Sequence, residues 1–231
     1  MLYELRHYDI RSERGLDQVT GRFGDHILPI WDRLGVRQVG FWSVIIGTPS
    51  PRLTYMLAWD DLAQRQELWD AFEADDEWQK ARRETRAAWG GDQTHTISTT
   101  ILKPTDFSRQ PTYDNQPARL AGGIFELRTH CFDDGGRQAQ TLEAFRSQIA
   151  PAYEKHGMYA MGHWTTYLGT SPRLTSMLVF ENLAHRERAW ASFYTAPEWP
   201  ARQEMLYADG QPLMTRIDSC AMKGTDFSGW R

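Results

Sequence analysis

A histidine, an aspartate and an arginine on one strand face can move a proton beside an anion, and the second half of this sequence carries such a set. Period-two alternation places Glu126, Arg128 and His130 on one side of FELRTHC, and Arg216, Asp218 and Cys220 on one side of RIDSCAM. Imidazole titrates near neutrality, which suits His130 to general acid–base work beside Asp218, with Arg216 holding a substrate oxyanion or carboxylate. Arg128 has two candidate partners, Glu126 and Asp218. The competing reading makes all of these polar fillers of a semi-enclosed interior, and the sequence weighs the two about evenly.

These residues stand out because the chain repeats itself. Tyr3-Glu4-Leu5-Arg6 returns as Phe125-Glu126-Leu127-Arg128, and Pro29, Gly35, Gly40, Trp42 and Gly47 return as Pro151, Gly157, Gly162, Trp164 and Gly169. GTPSPRLTYML returns one residue shorter as GTSPRLTSML, and Trp69, Phe72 and Trp78 return as Trp190, Phe193 and Trp199. Positions alike in both halves read as structural. Glu4–Arg6 and Glu126–Arg128 are then self-neutralising pairs first and substrate-binding candidates second. Positions that change read as functional: Tyr8 becomes His130, Thr96 becomes Arg216, Ser98 becomes Asp218 and Phe41 becomes His163. The working pocket is therefore expected in the second half.

The elements that must position these groups follow from periodicity. Residues 2–9 alternate as a strand, and Leu16, Val19, Phe23, Ile27, Ile30 and Leu34 mark an amphipathic helix. Pro29 and Pro151 sit inside that helix in each half, which predicts a kink or break. Residues 37–46 and 53–59 form a hairpin, Asp61 and Asn182 can cap the next helix, and Thr94–Leu102 and Met214–Met222 close each unit as strands. The order β-α-β-β-α-β, twice, predicts an α+β protein of two ferredoxin-like units, 1–108 and 123–231, joined by a linker at 109–122. The open sheet faces of the two units are expected to pack together as a pseudo-symmetric α/β barrel with a central cavity. Leu53, Tyr55, Leu57 and Trp59 should meet the helices. Thr54, Met56 and Ala58 should face the barrel, as should Glu4, Arg6 and Tyr8 with their counterparts Glu126, Arg128 and His130.

YELRHYDI, the segment G-V-x-x-V-G-F-W, IIGTPSPRLTYMLAWDDL and the Glu-Trp helix together resemble the NIPSNAP family, over roughly residues 2–108 and 124–228. The resemblance implies the dimeric α/β barrel fold. It implies function only broadly, because that superfamily includes cofactor-free monooxygenases, polyketide cyclases, isomerases and haem-binding enzymes. The expectation is a small-molecule enzyme without a tightly bound organic cofactor, acting on a hydrophobic, aromatic or polyketide-like compound by isomerisation, cyclisation or oxygenation. The alternatives are a non-catalytic ligand-binding or scaffold protein, and a haem-binding protein.

Other features narrow the field. His163 could face either side of its strand, and as a haem or metal ligand it lacks spaced partners. Trp42 and Trp164 are open between core and ligand wall. No G-x-S-x-G, P-loop or strand-borne G-x-G-x-x-G occurs. A net charge of −4 with scattered basic residues argues against nucleic acid. Two cysteines without a CxxC, no apolar run long enough for a membrane span and no signal-peptide pattern fit a cytoplasmic protein, with homo-oligomerisation left open.

Overall fold

The computed structural model describes all 231 residues. Its first half runs β1 (Leu2–Ile10), α1 (Glu13–Arg22), a π-helical turn (Phe23–Ile27), α2 (Leu28–Leu34), β2 (Arg37–Ile46), β3 (Arg52–Trp59), α3 (Leu62–Ala74), α4 (Asp76–Trp89) and β4 (Thr94–Pro104). The second half repeats the order as β5 (Ile124–Cys131), α5 (Gly135–Ala144), a π turn (Phe145–Ile149), α6 (Ala150–Lys155), β6 (Tyr159–Leu168), β7 (Arg173–Phe180), α7 (Leu183–Thr195) and α8 (Trp199–Glu204). A short ribbon, β8 (Tyr207–Ala208) and β9 (Gln211–Pro212), precedes the last strand, β10 (Arg216–Gly224). Asp61 and Asn182 cap α3 and α7, accepting from the backbone of Gln64 and His185. No helix is long and apolar enough to cross a membrane.

The eight long strands close a barrel in the order β1-β3-β2-β10-β5-β7-β6-β4, antiparallel throughout. Each half contributes a ferredoxin-like sheet, and the halves meet at two seams, β2 against β10 and β4 against β6. The expected α/β barrel is the fold found.

Its interior differs from the expectation of a central cavity. Tyr3, Leu5, Trp42, Met56, Phe125 and Leu127 fill all of it except the end at the β2–β3 and β6–β7 turns, with Met161, Trp164, Met177 and Met222. The packing is reciprocal: Trp42 lies against Phe125 of the other half (5.4 Å between ring centroids), and Trp164 against Tyr3 (5.7 Å). The glycine two residues before each tryptophan makes room for the indole. A Cβ on Gly40 would stand 2.5 Å from the Trp42 ring, and one on Gly162 would collide with Trp164 in the same way. This accounts for the repeated G-x-W.

The prolines widen the first helix of each half without breaking it. Pro29 has no N–H to give the carbonyl four residues back, and the turn ahead of it relaxes so that Leu28 N–H reaches Phe23 O. Ala150 reaches Phe145 O likewise. The repeated hairpin turn also has a packing role: Gly47, at φ +130°, lies against Cys220 of the opposite half, where a side chain would not fit.

Residues 109–122, read as a linker, are packed across the end of the barrel away from these turns. Leu120 enters the barrel core with Trp230. Tyr3 donates to Pro111 O, and the Trp230 indole donates to Thr112 O. The segment closes that end.

Because the barrel core has no slack around the indoles, Gly40→Ala and Gly162→Ala are each expected to cost about 1–3 kcal/mol, the usual penalty for overpacking. Urea denaturation of the two variants measures it.

Candidate functional site

Filling the barrel with Tyr3 and Leu5, and with Phe125 and Leu127, fixes the phase of β1 and β5. Glu4, Arg6 and Tyr8, and Glu126, Arg128 and His130, therefore point to the helices. The expectation that they line the barrel is corrected on this ground: the side of each strand that bears the aromatic and leucine residues belongs to the lumen. The assignments for β3 stand, with Leu53, Tyr55, Leu57 and Trp59 in the core beneath the helices and Met56 and Ala58 in the barrel. Trp42 and Trp164 are core residues of the barrel, and His163 faces the helices.

Under the helices each glutamate is completely buried and ionised. Glu4 accepts from Arg6 (2.9 Å), from both Nε and Nη2 of Arg65 (3.1 Å each) and from the Trp59 indole (3.0 Å). Burial alone would raise its pKa, but hydrogen bonds and charge from Arg65 and Arg6 outweigh that and hold it below the usual range. Glu126 accepts from Arg128 and Arg186 in the same way, takes its indole hydrogen bond from Trp190 on α7 where Glu4 takes it from Trp59 on β3, and adds Ser219. These pairs tie the first strand of each sheet to its covering helix.

In the first half this tie opens onto a cavity of about 450 Å³ between sheet and helices. Arg6, Tyr8, Phe23, Trp31, Trp69 and Trp78 form its aromatic and cationic wall, with Arg22, Arg82, Asp92, Thr94 and His95 also at its border. Five buried donors on these residues have no acceptor: Nε of Arg6, Nε of Arg22, the indole nitrogens of Trp31 and Trp78, and the Thr94 hydroxyl. Arg22 makes no side-chain hydrogen bond or ion pair. Its guanidinium lies over Trp89 (4.8 Å to the ring centroid) and Trp78 (5.6 Å), and burial lowers its pKa. Tyr8 accepts a hydrogen bond from Tyr55 (3.0 Å), leaving its own proton available. This site can hold an aromatic molecule with acceptor oxygens.

The second half, where the pocket was expected, is built differently. Ala144 stands where Arg22 is, and Met214 stands where Thr94 is and packs into the apolar core. His130 lies against Phe145, with Nδ1 3.3 Å from Leu174 O. His163 stacks on Tyr153 and shares a 2.8 Å hydrogen bond with Ser176. Both are 2% exposed. Burial first, then nearby positive charge, lowers His130 to about 3 and His163 to about 4, so both are neutral at pH 7.

Nor does the structure unite the proposed trio. Along β10, Arg216 and Asp218 face the barrel side as expected, but they pair with each other at the rim (2.7 Å) and are half exposed or more. His130 points to the opposite face of β5, beside Ile217. No group of three His, Cys, Asp or Glu side chains is arranged to hold a metal ion. Arg22 was the residue missed. It could have been found by the same comparison of halves, applied to a charge lost in the second copy as well as to charges gained there.

The NIPSNAP family model matches residues 3–109 and again residues 125–229. The chain belongs to the NIPSNAP family. None of the curated proteins matches the sequence significantly. Among solved structures, a Lactobacillus acidophilus protein described as a suspected monooxygenase is similar over 98% of this NIPSNAP chain and 97% of its own, at 11% identity and a TM-score of 0.60. An anthrone oxidase-like protein is similar over 100% and 94%, at 13% identity and a TM-score of 0.59. These two share the fold. A NIPSNAP domain protein of Burkholderia xenovorans, 23% identical, corresponds to 48% of this chain and 100% of its own, with a TM-score of 0.41.

Two outcomes are expected. Glu4→Gln leaves Arg6 and Arg65 buried against a neutral amide and should destabilise the fold by about 3–5 kcal/mol in chemical denaturation. The neutral histidines make stability depend on pH with a definite sign. Their folded pKa values lie below the unfolded value, so the unfolded chain takes up protons first. Stability is at its plateau above about pH 6.5 and falls as pH drops toward 4, by up to about 1.4 kcal/mol per pH unit per histidine. His163→Phe, which restores the residue found at Phe41, should flatten the slope of stability against pH between 6.5 and 5.

Proposed function

We propose that the first-half cavity binds an aromatic or polyketide-like molecule bearing an anionic oxygen, and that the protein transforms it without a tightly bound organic cofactor. The observation that carries this reading is the group of five buried donors without acceptors around one aromatic-walled space, two of them on guanidinium groups. Unpaired buried donors each cost about 1–3 kcal/mol, which a ligand supplying several acceptor oxygens would recover. A cavity of this size suits a compound of two or three fused rings.

In this reading Arg22 and Arg6 hold the enolate or phenolate oxygen of the substrate, lowering the cost of passing a carbon-bound proton to the Asp92 carboxylate at the cavity border. Tyr8 exchanges a proton with a second substrate oxygen. A carbanion stabilised in this way can isomerise, cyclise or react with dioxygen. The similarity to proteins named as a suspected monooxygenase and as anthrone oxidase-like supports oxygenation among these. Conversion of a ring methylene to a carbonyl then balances with one dioxygen: one oxygen atom enters the product and the other leaves as water with the two hydrogens.

The test uses 1-naphthoate and its neutral analogue 1-naphthalenemethanol, with binding followed by tryptophan fluorescence through Trp69 and Trp78. Naphthoate is expected to bind saturably and the alcohol at least tenfold more weakly, and Arg22→Gln should remove the difference. Equal binding of the two compounds to the wild-type protein, or an unchanged preference in Arg22→Gln, would refute the site.

A further inference from the structure

The barrel has a second, chemically different space that the first-half cavity does not explain. At the hairpin-turn end the lumen is not filled, and a polar mouth of about 330 Å³ remains. Its walls come from both halves. Arg52 and Arg173, which occupy the same place in the two copies at the start of β3 and β7, both line it, with His7 and a ring of short hydroxyl side chains that includes Thr100, Thr129 and Thr175. At the other end of the same lumen, positions on the same strand faces carry methionine and tryptophan.

The charges around this mouth do not cancel. Arg52 uses Nε to bind Asp9 (2.6 Å), and its two Nη groups make no hydrogen bond. Arg173 donates from Nη1 to the Cys131 sulfur and lies 4.0 Å from Asp218. Asp218 also lines the mouth, but both of its carboxylate oxygens are engaged by Arg216. Three guanidiniums thus face two carboxylates. Both lining arginines are mostly buried, with side chains 18% and 23% exposed, so their charge is poorly screened by water. The Thr166 hydroxyl, also in the lining, is buried without a partner.

We infer that the barrel mouth binds a small oxyanion, a carboxylate or a phosphate, held between Arg52 and Arg173 and by the threonine hydroxyls. Guanidinium pairs and hydroxyls are the groups that recognise such oxygens. Because one arginine comes from each half, the bound anion links the two copies across the pseudo-twofold axis and stabilises the closed barrel by mass action. The site is separate from the first-half cavity and does not depend on its assignment.

The experiment is thermal denaturation of the full chain at fixed ionic strength, with sodium phosphate or sodium succinate replacing sodium chloride. A saturable rise in Tm is expected with at least one. A rise with phosphate alone assigns a tetrahedral anion, with succinate alone a dicarboxylate, and with both a general oxyanion site. The Arg52→Gln/Arg173→Gln double variant should lose the rise, and Arg22→Gln should keep it. Thr129→Val, which leaves both arginines and the shape in place, should weaken the apparent affinity about tenfold and serves as the variant if the double change does not fold. No saturable rise with either anion would overturn the inference. So would a rise that survives in the double variant, one that persists undiminished in Thr129→Val, or one that disappears in Arg22→Gln.

Discussion

Two reciprocal contacts, Trp42 on Phe125 and Trp164 on Tyr3, set the terms for everything else in this molecule. Two sheets with apolar open faces must bury them, and here each half inserts its tryptophan against the first-strand aromatic of the other. Once those rings occupy the lumen, the alternation of β1 and β5 is fixed. Glu4 and Arg6 of β1, and Glu126 and Arg128 of β5, are then turned outward beneath the helices, and the one charge left on the lumen side, Asp9, sits at the mouth against Arg52. A chemical site built from Glu4, Arg6 and Tyr8 can exist only there.

A charge placed beneath helices needs partners, and the glutamate ties supply them. Arg6 gives Nη1 to Glu4, its Nε is buried without an acceptor, and the residue also borders the aromatic cavity. The same guanidinium thus belongs to the framework on one edge and to the candidate site on the other. Pro29 and the π turn before it belong to the same arrangement, because the widened turn includes Phe23 and Ile27, both of which line the cavity.

Much of this was legible in the sequence. The internal repeat, visible in residues as specific as Gly40-Phe41-Trp42 and Gly162-His163-Trp164, gives the order of elements and the barrel. The phase of β1 was not legible. Aromatics such as Tyr3 and charges such as Glu4 alternate cleanly, but either set could have faced the lumen, and the choice depends on what fills the barrel. That is a property of side chains from both halves together, which no single strand reveals. Pro29 marked an irregularity correctly without showing that a helix can absorb it by widening one turn. The loss of the Arg22 charge at Ala144 is visible in the comparison of halves, but that its guanidinium lies on indoles without a counter-charge is a fact of packing.

The replacement of Arg22 by Ala144, and of Tyr55 by Ser176, makes the two copies unequal although they share a backbone. A barrel assembled from two identical chains would have to carry any such change twice. Fusing the copies into one chain releases each from the other, so one side can hold a neutral histidine core while the other keeps a guanidinium without a counter-charge. Under the proposed reading, each chain therefore offers one aromatic-walled site, in the first half, where a dimer of identical chains would offer two.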